Sequence, residues 1–462
     1  MAAQQFIGRQ RELAQLQQAY DAQGQGRLVL LYGRRRIGKS FLLQRFAQGK
    51  RAVFYQATRQ APALELQAFT EAVRATLGND GLPEGYSFPG WEAALRFVGE
   101  HAGGRLLVVL DEYPYLSQSV DGLESVLQRW WDTWGQGSDI MLVLSGSAQA
   151  FMAALDGHAE PLHQRFSDKI RLGPLSYRDA ALFTPHLSHD DHARIFGMLG
   201  GTPFYLRQWR EQENLRENII RLFADPAGLL FDSAVSVLST DLEDASAPYR
   251  ILQAIANGAT RWNDIKQQAA LTSTRPLDRL LEIGLIEKRV PVTEDPDRSR
   301  QSIYRIADPY FRFYFRFIHR NRGPITRGLG VNVVDEQILP YLDDFMGDIF
   351  EQIARDYCIA RVRAHALRAD DVGSWWSRDG QYEIDVLGAV NRRPSFAGSV
   401  KWRDRPLDRR TLDDLEADIR KLTDAPADMP RLLIGRRGID PALVGAPNVT
   451  GVSIADLYET VE

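Results

Sequence analysis

The sequence has few of the features that mark secreted, disulfide-bonded or membrane proteins. One cysteine, Cys358, occurs in 462 residues, which excludes an internal disulfide and any cysteine-based zinc cluster. No apolar run approaches the length that is needed to cross a bilayer. The first ten residues, MAAQQFIGRQ, lack the apolar core of a signal peptide. We therefore expect a cytoplasmic protein without a membrane partner.

The composition is that of a globular protein too long for one hydrophobic core. Hydrophobic residues make up 44% of the chain and charged residues 25%, as in ordinary folded domains. A chain of this length ordinarily divides into about two to four domains. The formal net charge of −4 gives no overall signal for nucleic-acid binding.

The most informative stretch is a glycine-containing loop between an apolar run and a helical pattern. Residues 33–40 read GRRRIGKS, which fits the phosphate-binding pattern G-x-x-x-x-G-K-S. The preceding RLVLLY predicts a buried strand, and the following KSFLLQRFAQ predicts a helix. This order directs backbone N–H groups at a polyphosphate. The predicted nucleotide cradle comprises Gly33, Arg34, Arg35, Arg36, Ile37, Gly38, Lys39, Ser40 and Phe41.

Two residues of this cradle have specific expected roles. Lys39 should reach the β- and γ-phosphates, and Ser40 should place its hydroxyl on Mg²⁺. A second glycine-containing turn, Phe6-Ile7-Gly8, precedes a helix predicted over residues 12–20. It fits either a cover over the nucleotide base or the start of an ordinary N-terminal helix.

In the stretch of residues 105–112, RLLVVLDE, a continuous apolar run follows the arginine and ends in two acids, Asp111 and Glu112. Such a run is typical of a central parallel strand buried on both faces, and the carboxyl end of such a strand is where α/β sheets bind ligands. Asp111 should hold Mg²⁺ through its water shell, and Glu112 should polarise the attacking water. The alternative is a strand that merely stops at a charged turn.

A further buried strand is predicted at residues 139–144, and it ends in Ser145-Gly146-Ser147. A serine there suits a sensor of the γ-phosphate, although a plain small-residue turn also fits, and the sequence does not choose between the two serines. An extra strand between the P-loop strand and the acidic strand defines the additional-strand class of P-loop proteins. That class uses a catalytic glutamate, the role expected for Glu112.

Two later positions are weaker candidates. Arg165, before a strand-like run at residues 169–172, suits an arginine finger, which stabilises charge in phosphoryl transfer, but most arginines are merely solvated. Pro203 lies in the run GGTPFYL at a predicted helix start. It suits either an ordinary helix start or a lid segment that touches the base.

These segments together resemble the archaeal-type P-loop ATPases, AAA+ relatives close to the signal-transducing STAND branch. The resemblance is carried by FIGRQREL, GRRRIGKS, VVLDEYPYL, LVLSGS and GGTPFYL. It implies ATP binding by Lys39 and Ser40, magnesium at Asp111, water activation by Glu112 and adenine contact by Pro203. Arg165 matches the family's arginine in position, with His163-Gln164 in place of the usual tyrosine-glycine.

The resemblance extends to the C-terminal domain of these proteins, domain of unknown function 234, which is similar to restriction-endonuclease-like folds. DPYFRFYFRFI, GDIFEQIARDY, GSWWSRDGQYEIDVLG and VKW carry it. The expected fold class is α/β, an additional-strand P-loop NTPase core with a parallel sheet followed by three further domains. The boundaries are 1–175 for the ATPase core, 176–240 for a helical lid, 241–325 for a winged helix and 326–462 for the restriction-endonuclease-like domain.

Three predicted helices and a hairpin between residues 245 and 306 suggest the winged helix. The third helix is expected over residues 272–284, with Thr272 or Ser273 as its N-cap. Residues 250–327 contain 15 Lys/Arg and 8 Asp/Glu, a local excess of positive charge. Arg275 and Arg279 on the third helix could meet double-stranded DNA, although many winged helices are only structural or bind protein. The aromatic run from Phe311 to Phe317 fits an edge strand or a domain-joining helix.

The last domain carries part of a nuclease pattern. Restriction-type nucleases hold Mg²⁺ with an aspartate on one strand and an acid-x-lysine on the next, because hard cations require several oxygen ligands. Asp385 and Lys401 match, but Ser399 stands where the second acid should be. We therefore expect no nuclease activity, unless Glu383, two residues before Asp385 on the same strand face, or Glu351 substitutes.

The leading hypothesis is an ATPase that acts as a conformational switch, with hydrolysis repositioning the winged helix and the C-terminal domain. One alternative is a DNA-binding ATPase or ATP-gated nuclease. Another is a nucleotide-dependent protein-interaction switch with little turnover.

Overall fold

The computed structural model of the protein describes residues 6–22, 24–78, 82–242 and 245–459. The chain forms two compact units. The first consists of Met1–Leu175 with the short segment Thr202–Phe204, and the second consists of Ser176–Gly201 and Tyr205–Glu462. Among the described residues, no helix combines the length and hydropathy that a membrane crossing requires.

The first unit is built on a five-stranded parallel sheet. Its strands are β1 (Arg27–Tyr32), β2 (Ala52–Gln56), β3 (Leu106–Asp111), β4 (Ile140–Gly146) and β5 (Asp168–Arg171). Their spatial order is β2-β3-β4-β1-β5, and every neighbouring pair is parallel. Because β4 lies between β1 and β3, the prediction of an additional strand is confirmed. Every residue of β3 and β4 is buried, as their apolar runs predict.

Helices cover both faces of this sheet. They are α1 (Gln10–Asp21), α2 (Lys39–Ala47), α3 (Pro62–Leu77), α4 (Trp91–His101), α5 (Tyr113–Ser119), α6 (Leu123–Trp130) and α7 (Gln149–Ala154). One core cluster joins Leu28, Leu142 and Trp91, and another joins Val29, Val143 and Leu42. The alternating strand residues thus pack on opposite faces.

The helical segment that follows β3 is interrupted near its start and changes form near its end. Gly122, with φ of 73°, separates α5 from α6, and the left-handed conformation interrupts regular helix. After α6 the chain continues as a π-helical turn, Trp131–Gly135. A Cβ on Gly135 would overlap the Trp131 ring, so the tight approach to that ring requires glycine.

The second unit begins with short helices. They are α8 (Tyr177–Ala181), α9 (His189–Leu199), α10 (Pro203–Leu206, which begins in the first unit), α11 (Leu215–Phe223) and α12 (Ser233–Asp241). Asn214 caps α11 with its side chain in a reciprocal capping box with Glu217, which supplies partners for otherwise unpaired N–H groups. These helices occupy the range predicted as a lid, an assignment that stays a prediction.

Three helices and a hairpin follow: α13 (Ser246–Ala256), α14 (Trp262–Gln268), α15 (Arg275–Glu282), β6 (Ile286–Arg289) and β7 (Ile303–Ile306). The two strands are antiparallel. The prediction that Thr272 or Ser273 caps the third helix is wrong, because α15 begins at Arg275 with a proline in its first turn and no side-chain cap. The winged-helix assignment itself stays a prediction.

The aromatic run is helical, so the edge-strand alternative is wrong. It forms α16 (Pro309–Phe313) and a π-helical turn, Tyr314–Ile318. Phe311, Phe313 and Phe315 are fully buried. Because the run is surrounded by protein, the alternation of aromatic and basic residues does not separate a buried face from an exposed one.

A mixed sheet completes the chain. The elements are α17 (Arg322–Thr326), α18 (Gly330–Val333), α19 (Leu342–Arg363), β8 (Asp371–Trp376), β9 (Glu383–Val390), β10 (Arg393–Lys401), α20 (Arg409–Ile419), β11 (Arg431–Gly435), β12 (Val449–Val452) and α21 (Ile454–Tyr458). The order is β12-β11-β10-β9-β8, antiparallel from β8 to β10 and parallel from β10 to β12. This second sheet confirms the α/β class.

Candidate active site

The P-loop is shaped by two glycines and by its own lysine. Gly38 has φ of 95°, a conformation that favours glycine. A Cβ on Gly33 would overlap the carbonyl oxygen of Leu172, so the loop begins too close to the chain for another residue. Lys39 Nζ donates hydrogen bonds of 3.0 and 3.2 Å to the carbonyl oxygens of the first two loop residues. The ammonium group therefore lies over the loop that is expected to cradle phosphate.

The N-terminal turn lies against this loop. Arg9 Nη2 donates to the carbonyl oxygens of Ile37 (3.2 Å) and Gly173 (2.7 Å). The rings of Phe6 and Phe41 have centroids 5.5 Å apart. Two predicted nucleotide contacts, separate in sequence, thus meet. Arg9 connects the turn to the loop and was not predicted as a site residue, because a guanidinium that binds carbonyl oxygens leaves no pattern in the sequence.

The loop arginines have different surroundings. Arg34 is buried, whereas Arg35 donates to the hydroxyl of Tyr115 in α5. Arg36 has φ of 66°, and its guanidinium carbon lies 4.5 Å from the centroid of the Phe204 ring, within range of a cation–π contact. The neighbouring Pro203 approaches the loop as well, since its Cγ lies 3.8 Å from the position of a Cβ on Gly38. Pro203 and Phe204 therefore lie beside the P-loop, and the adenine contact of Pro203 stays a prediction.

Asp111, the last residue of β3, is fully buried. Neither carboxylate oxygen has a hydrogen-bond partner among the described residues. An ionised carboxylate buried without partners is costly, and a cation is the group that relieves this cost. Carboxylate and hydroxyl oxygens are ligands that Mg²⁺ accepts. The environment of Asp111 therefore fits the predicted metal site that Asp111 shares with the hydroxyl of Ser40.

Glu112 and Ser147 form a hydrogen-bonded pair at the ends of neighbouring strands. Ser147 Oγ donates to Glu112 Oε2 at 2.9 Å. Glu112 itself has φ of 52°, an uncommon conformation for a residue with a side chain. Ser145 is fully buried, and its Oγ has no partner in the described part of the chain. Of the two candidate serines, Ser147 is thus the one that contacts the candidate base.

Arg165, the candidate finger, is held by an acid. Its Nε and Nη2 donate to the two carboxylate oxygens of Asp132 at 2.8 and 2.7 Å, and Nη1 donates to the carbonyl oxygens of Pro161 and His163. The hydrogen bonds from Arg165 lower the pKa of Asp132 below its ordinary value. An action of Arg165 on phosphate would require this bidentate pair to break.

The C-terminal candidate site centres on Asp385 in β9. Its Oδ2 accepts hydrogen bonds from the Val400 N–H (2.7 Å), from Lys401 Nζ (2.7 Å) and from Ser399 Oγ (3.4 Å). Lys401 therefore supplies the positive charge next to this carboxylate. The lysine and aspartate predicted as nuclease residues do meet, and they form an ion pair.

The other two acids of that set differ in environment. Glu383 lines a cavity of about 270 Å³ together with Asp385, Lys401 and Asp418. Glu351 in α19 lies 3.5 Å from Arg355, and burial raises the pKa of Glu351. Within the described ranges, no group of three or more His, Cys, Asp or Glu side chains has the arrangement of a metal site.

The two candidate DNA contacts lie on α15. Arg275 is exposed at its first residue, whereas Arg279 donates to Glu282 at 2.8 Å. Exposed ion pairs of this kind are weak, so both guanidiniums remain accessible from that helix.

The sheet order, the P-loop after β1 and the buried acid at the end of β3 define the class of this protein as an additional-strand P-loop NTPase. Residues 6–209 match the family described as an ATPase domain predominantly from Archaea. Residues 314–415 match a family of archaeal and bacterial proteins of unknown function. The chain therefore carries an archaeal-type ATPase domain followed by a domain of the second family.

A curated relative is similar to this chain over most of the length of both. An uncharacterised protein of Methanocaldococcus jannaschii is 25% identical over 408 residues, which cover 86% of this chain and 88% of that protein. Among solved structures, the Walker-type ATPase of Pyrococcus abyssi is 19% identical, with a TM-score of 0.47 and coverage of 67% of this chain and 96% of that one. The ORC2 protein of Aeropyrum pernix is 14% identical, with a TM-score of 0.43 and coverage of 71% and 97%.

Proposed function

We propose that this chain hydrolyses ATP with Mg²⁺ and that the nucleotide state acts as a conformational switch for the C-terminal half. The observation that carries the proposal is the Asp111 carboxylate, which is buried without a partner immediately before Glu112. A charge left uncompensated in a protein interior requires a counter-ion. The parts proposed to respond are a lid at 176–240, a winged helix at 241–325 and a restriction-endonuclease-like domain at 326–462.

The proposed chemistry assigns one role to each side chain. Bound Mg²⁺ would neutralise charge on the β- and γ-phosphates, held by Ser40 and Asp111. Lys39 would exchange its loop carbonyl partners for phosphate oxygens. Glu112 would orient a water molecule and accept its proton as the water oxygen bonds to the γ-phosphorus and the bond to ADP breaks. Ser147 would position the Glu112 carboxylate through its hydrogen bond.

The test is ATP hydrolysis by the wild type and by Lys39→Ala and Glu112→Gln, each with and without duplex DNA. Glu112→Gln should bind ATP and lose hydrolysis by about two to four orders of magnitude, because the general base is gone. Glu84→Gln, at an exposed position of the same unit, is the matched control. Equal turnover by wild type and Lys39→Ala would contradict the proposal.

A DNA-binding ATPase is the second candidate. The excess of positive charge between residues 250 and 327 and the exposed Arg275 at the start of α15 favour it. Arg275→Glu should then weaken retention of duplex DNA and leave basal hydrolysis unchanged. An ATP-gated nuclease is less favoured, because Lys401 already neutralises Asp385.

A protein-interaction switch with little turnover is the third candidate, and equal partner binding with and without nucleotide would count against it. The expected location for all three is the cytoplasm. The single cysteine agrees with this, since one cysteine cannot form an internal disulfide.

A further inference from the structure

A cavity of about 570 Å³ lies at the loop that joins β6 to β7. Four arginines line it, two from that loop, one from the start of α14 and one from the turn between β8 and β9. They are Arg298, Arg300, Arg261 and Arg378. This cavity contains none of the residues assigned above to ATP, to the nuclease pattern or to α15.

The four guanidiniums have no acid partner among the described residues, unlike nearby Arg392, which pairs with Asp295 at 3.1 Å. Glu294, the acid among the lining residues, is already engaged. It accepts hydrogen bonds from Ser299 Oγ at 2.5 Å and from Gln301 Nε2. The lining residues therefore carry four guanidinium charges against the one carboxylate of Glu294, and this excess of positive charge favours an anion among the arginines.

The segments that carry the arginines are fixed in place. The Val292 N–H donates to the Ser374 carbonyl oxygen at 3.1 Å, which ties the loop to β8. The Tyr304 N–H donates to the Thr260 carbonyl oxygen at 2.7 Å, immediately before Arg261. Sites whose backbone is ordered before binding lose less entropy when the ligand arrives.

The cavity wall also contains an unsatisfied acceptor. Gln301 is 9% exposed, and its Oε1 has no hydrogen-bond partner among the described residues. Its Nε2 already donates to Glu294, so exchanging the amide atoms would not supply a partner. Either an arginine drawn inward by a bound anion or a ligand hydroxyl or amine would satisfy this oxygen.

We propose that this arginine cavity binds the phosphate of a nucleotide, either free or within a nucleic-acid strand. Guanidinium groups bind phosphate oxygens through paired hydrogen bonds, and the volume lies within the range of about 300 to 1,000 Å³ of small-ligand sites. A nucleotide combines phosphate with the hydroxyl or amine donors that suit Gln301. The proposal does not depend on ATP hydrolysis by the first unit.

The test uses the full chain in a Lys39→Ala background, which disables the P-loop as a competing phosphate site. The probes are a fluorescein-labelled single-stranded oligonucleotide, followed by anisotropy, and ATP, followed by calorimetry. The cavity variant is Arg298→Ala/Arg300→Ala/Arg378→Ala. The matched control is Arg368→Ala/Arg405→Ala/Arg410→Ala, which removes three exposed arginines that do not line the cavity.

The cavity variant should bind at least about tenfold more weakly than the control. For the oligonucleotide, the slope of log affinity against log salt should fall by about one for each arginine removed. If the cavity variant loses affinity for the oligonucleotide alone, the ligand is a nucleic-acid strand. If it loses affinity for ATP, the ligand is a free nucleotide. The proposal fails if neither probe binds, or if cavity variant and control bind alike. Thermal unfolding shows whether each variant is folded. If the triple variant does not fold, the single variant Arg378→Ala is used in its place.

Discussion

Two buried aspartates in strands of different sheets have opposite surroundings. Asp111 in β3 is fully buried, and neither carboxylate oxygen has a partner among the described residues. Asp385 in β9 is 8% exposed, and its Oδ2 accepts 2.7 Å hydrogen bonds from a backbone N–H and from Lys401. Residue type and secondary structure are the same, so the neighbouring donors determine what each carboxylate needs.

The contrast is that the Asp111 carboxylate requires a cation, whereas the Asp385 carboxylate already has a positively charged partner. Lys39, the lysine of the P-loop, is bonded to loop carbonyl oxygens, and no hydrogen-bond donor reaches Asp111 within the described chain. At the other site, Lys401 supplies the compensating charge. A magnesium ion at Asp111 would relieve a cost, whereas at Asp385 it would have to displace an existing partner.

Of the changes at the two aspartates, removing the charge of Asp111 has the largest expected effect. Asp111→Asn should slow ATP hydrolysis by about 10- to 100-fold, because groups that hold a metal through its outer shell typically contribute that much. The loss should shrink as Mg²⁺ concentration rises. Steady-state hydrolysis across a magnesium titration measures it, with chelation by EDTA as the zero point.

Asp121→Asn, at an exposed position of the same unit, serves as the control and should hydrolyse ATP like the wild type. Without nucleotide, the thermal stability of Asp111→Asn should be no lower than that of the wild type, since an uncompensated buried charge has been removed. A large drop in that stability would mean that Asp111 has a partner inside the protein. The contrast between Asp111 and Asp385 would then be wrong.

The corresponding change at Asp385 should act on stability and leave catalysis alone. Asp385→Asn should destabilise the protein by about 1 to 3 kcal/mol, because two donors lose a charged acceptor. ATP hydrolysis should be unchanged. Urea unfolding of the variant measures the loss, beside Asp413→Asn, whose exposed pair with Arg409 is expected to contribute only about 0.5 kcal/mol.

Stabilisation by a divalent cation is the result that would contradict this expectation for Asp385. If Mg²⁺ or Mn²⁺ stabilised the wild type against urea and did not stabilise Asp385→Asn, Asp385 would bind a cation despite its lysine. The nuclease alternative would then return, and the difference between the two aspartates would be one of affinity.

The sequence predicts the ATPase core well because its central strands, β1, β3 and β4, are buried on both faces. The run RLVLLY coincides with β1, Arg27–Tyr32, and the two predicted acids lie at the carboxyl end of β3, where Asp111 is the last strand residue and Glu112 follows it. A continuous apolar run therefore predicts the bounds of such a strand closely. The position of β4 beside β1 was predicted from the additional-strand class of P-loop proteins, in which the extra strand lies between the P-loop strand and the acidic strand.

Contacts between distant polar side chains could not be predicted in the same way. Arg165 pairs with Asp132, 33 residues earlier, and no local periodicity records that pairing. Sequence could not choose Ser147 over Ser145, because residues two apart on a strand share a face; only Ser147, just after β4, contacts Glu112. In the aromatic run, the alternation of aromatic and basic residues allowed an edge strand. That alternative is wrong, since Phe311, Phe313 and Phe315 are all buried in a helical segment.

The smallest expected effect sharpens the comparison at the C-terminal cavity. Asp418 in α20 lines that cavity with Asp385, and burial, followed by the charges of Asp385 and Asp414, raises the pKa of Asp418. An acid whose folded-state pKa is raised binds its proton more tightly in the folded state. Its ionisation therefore lowers stability as pH rises through the interval between the unfolded and folded values.

Asp418→Asn removes this cost, so the variant should be more stable than the wild type at neutral pH by less than about 1 kcal/mol. The gain should vanish at about pH 3, where Asp418 is protonated in both states. Melting curves at the two pH values, with Asp413→Asn on the same helix as control, measure the difference. A gain that persisted in acid would assign the effect to packing. A gain abolished by Mg²⁺ at neutral pH would instead mean that these acids bind a cation, and Asp385 would then resemble Asp111 after all.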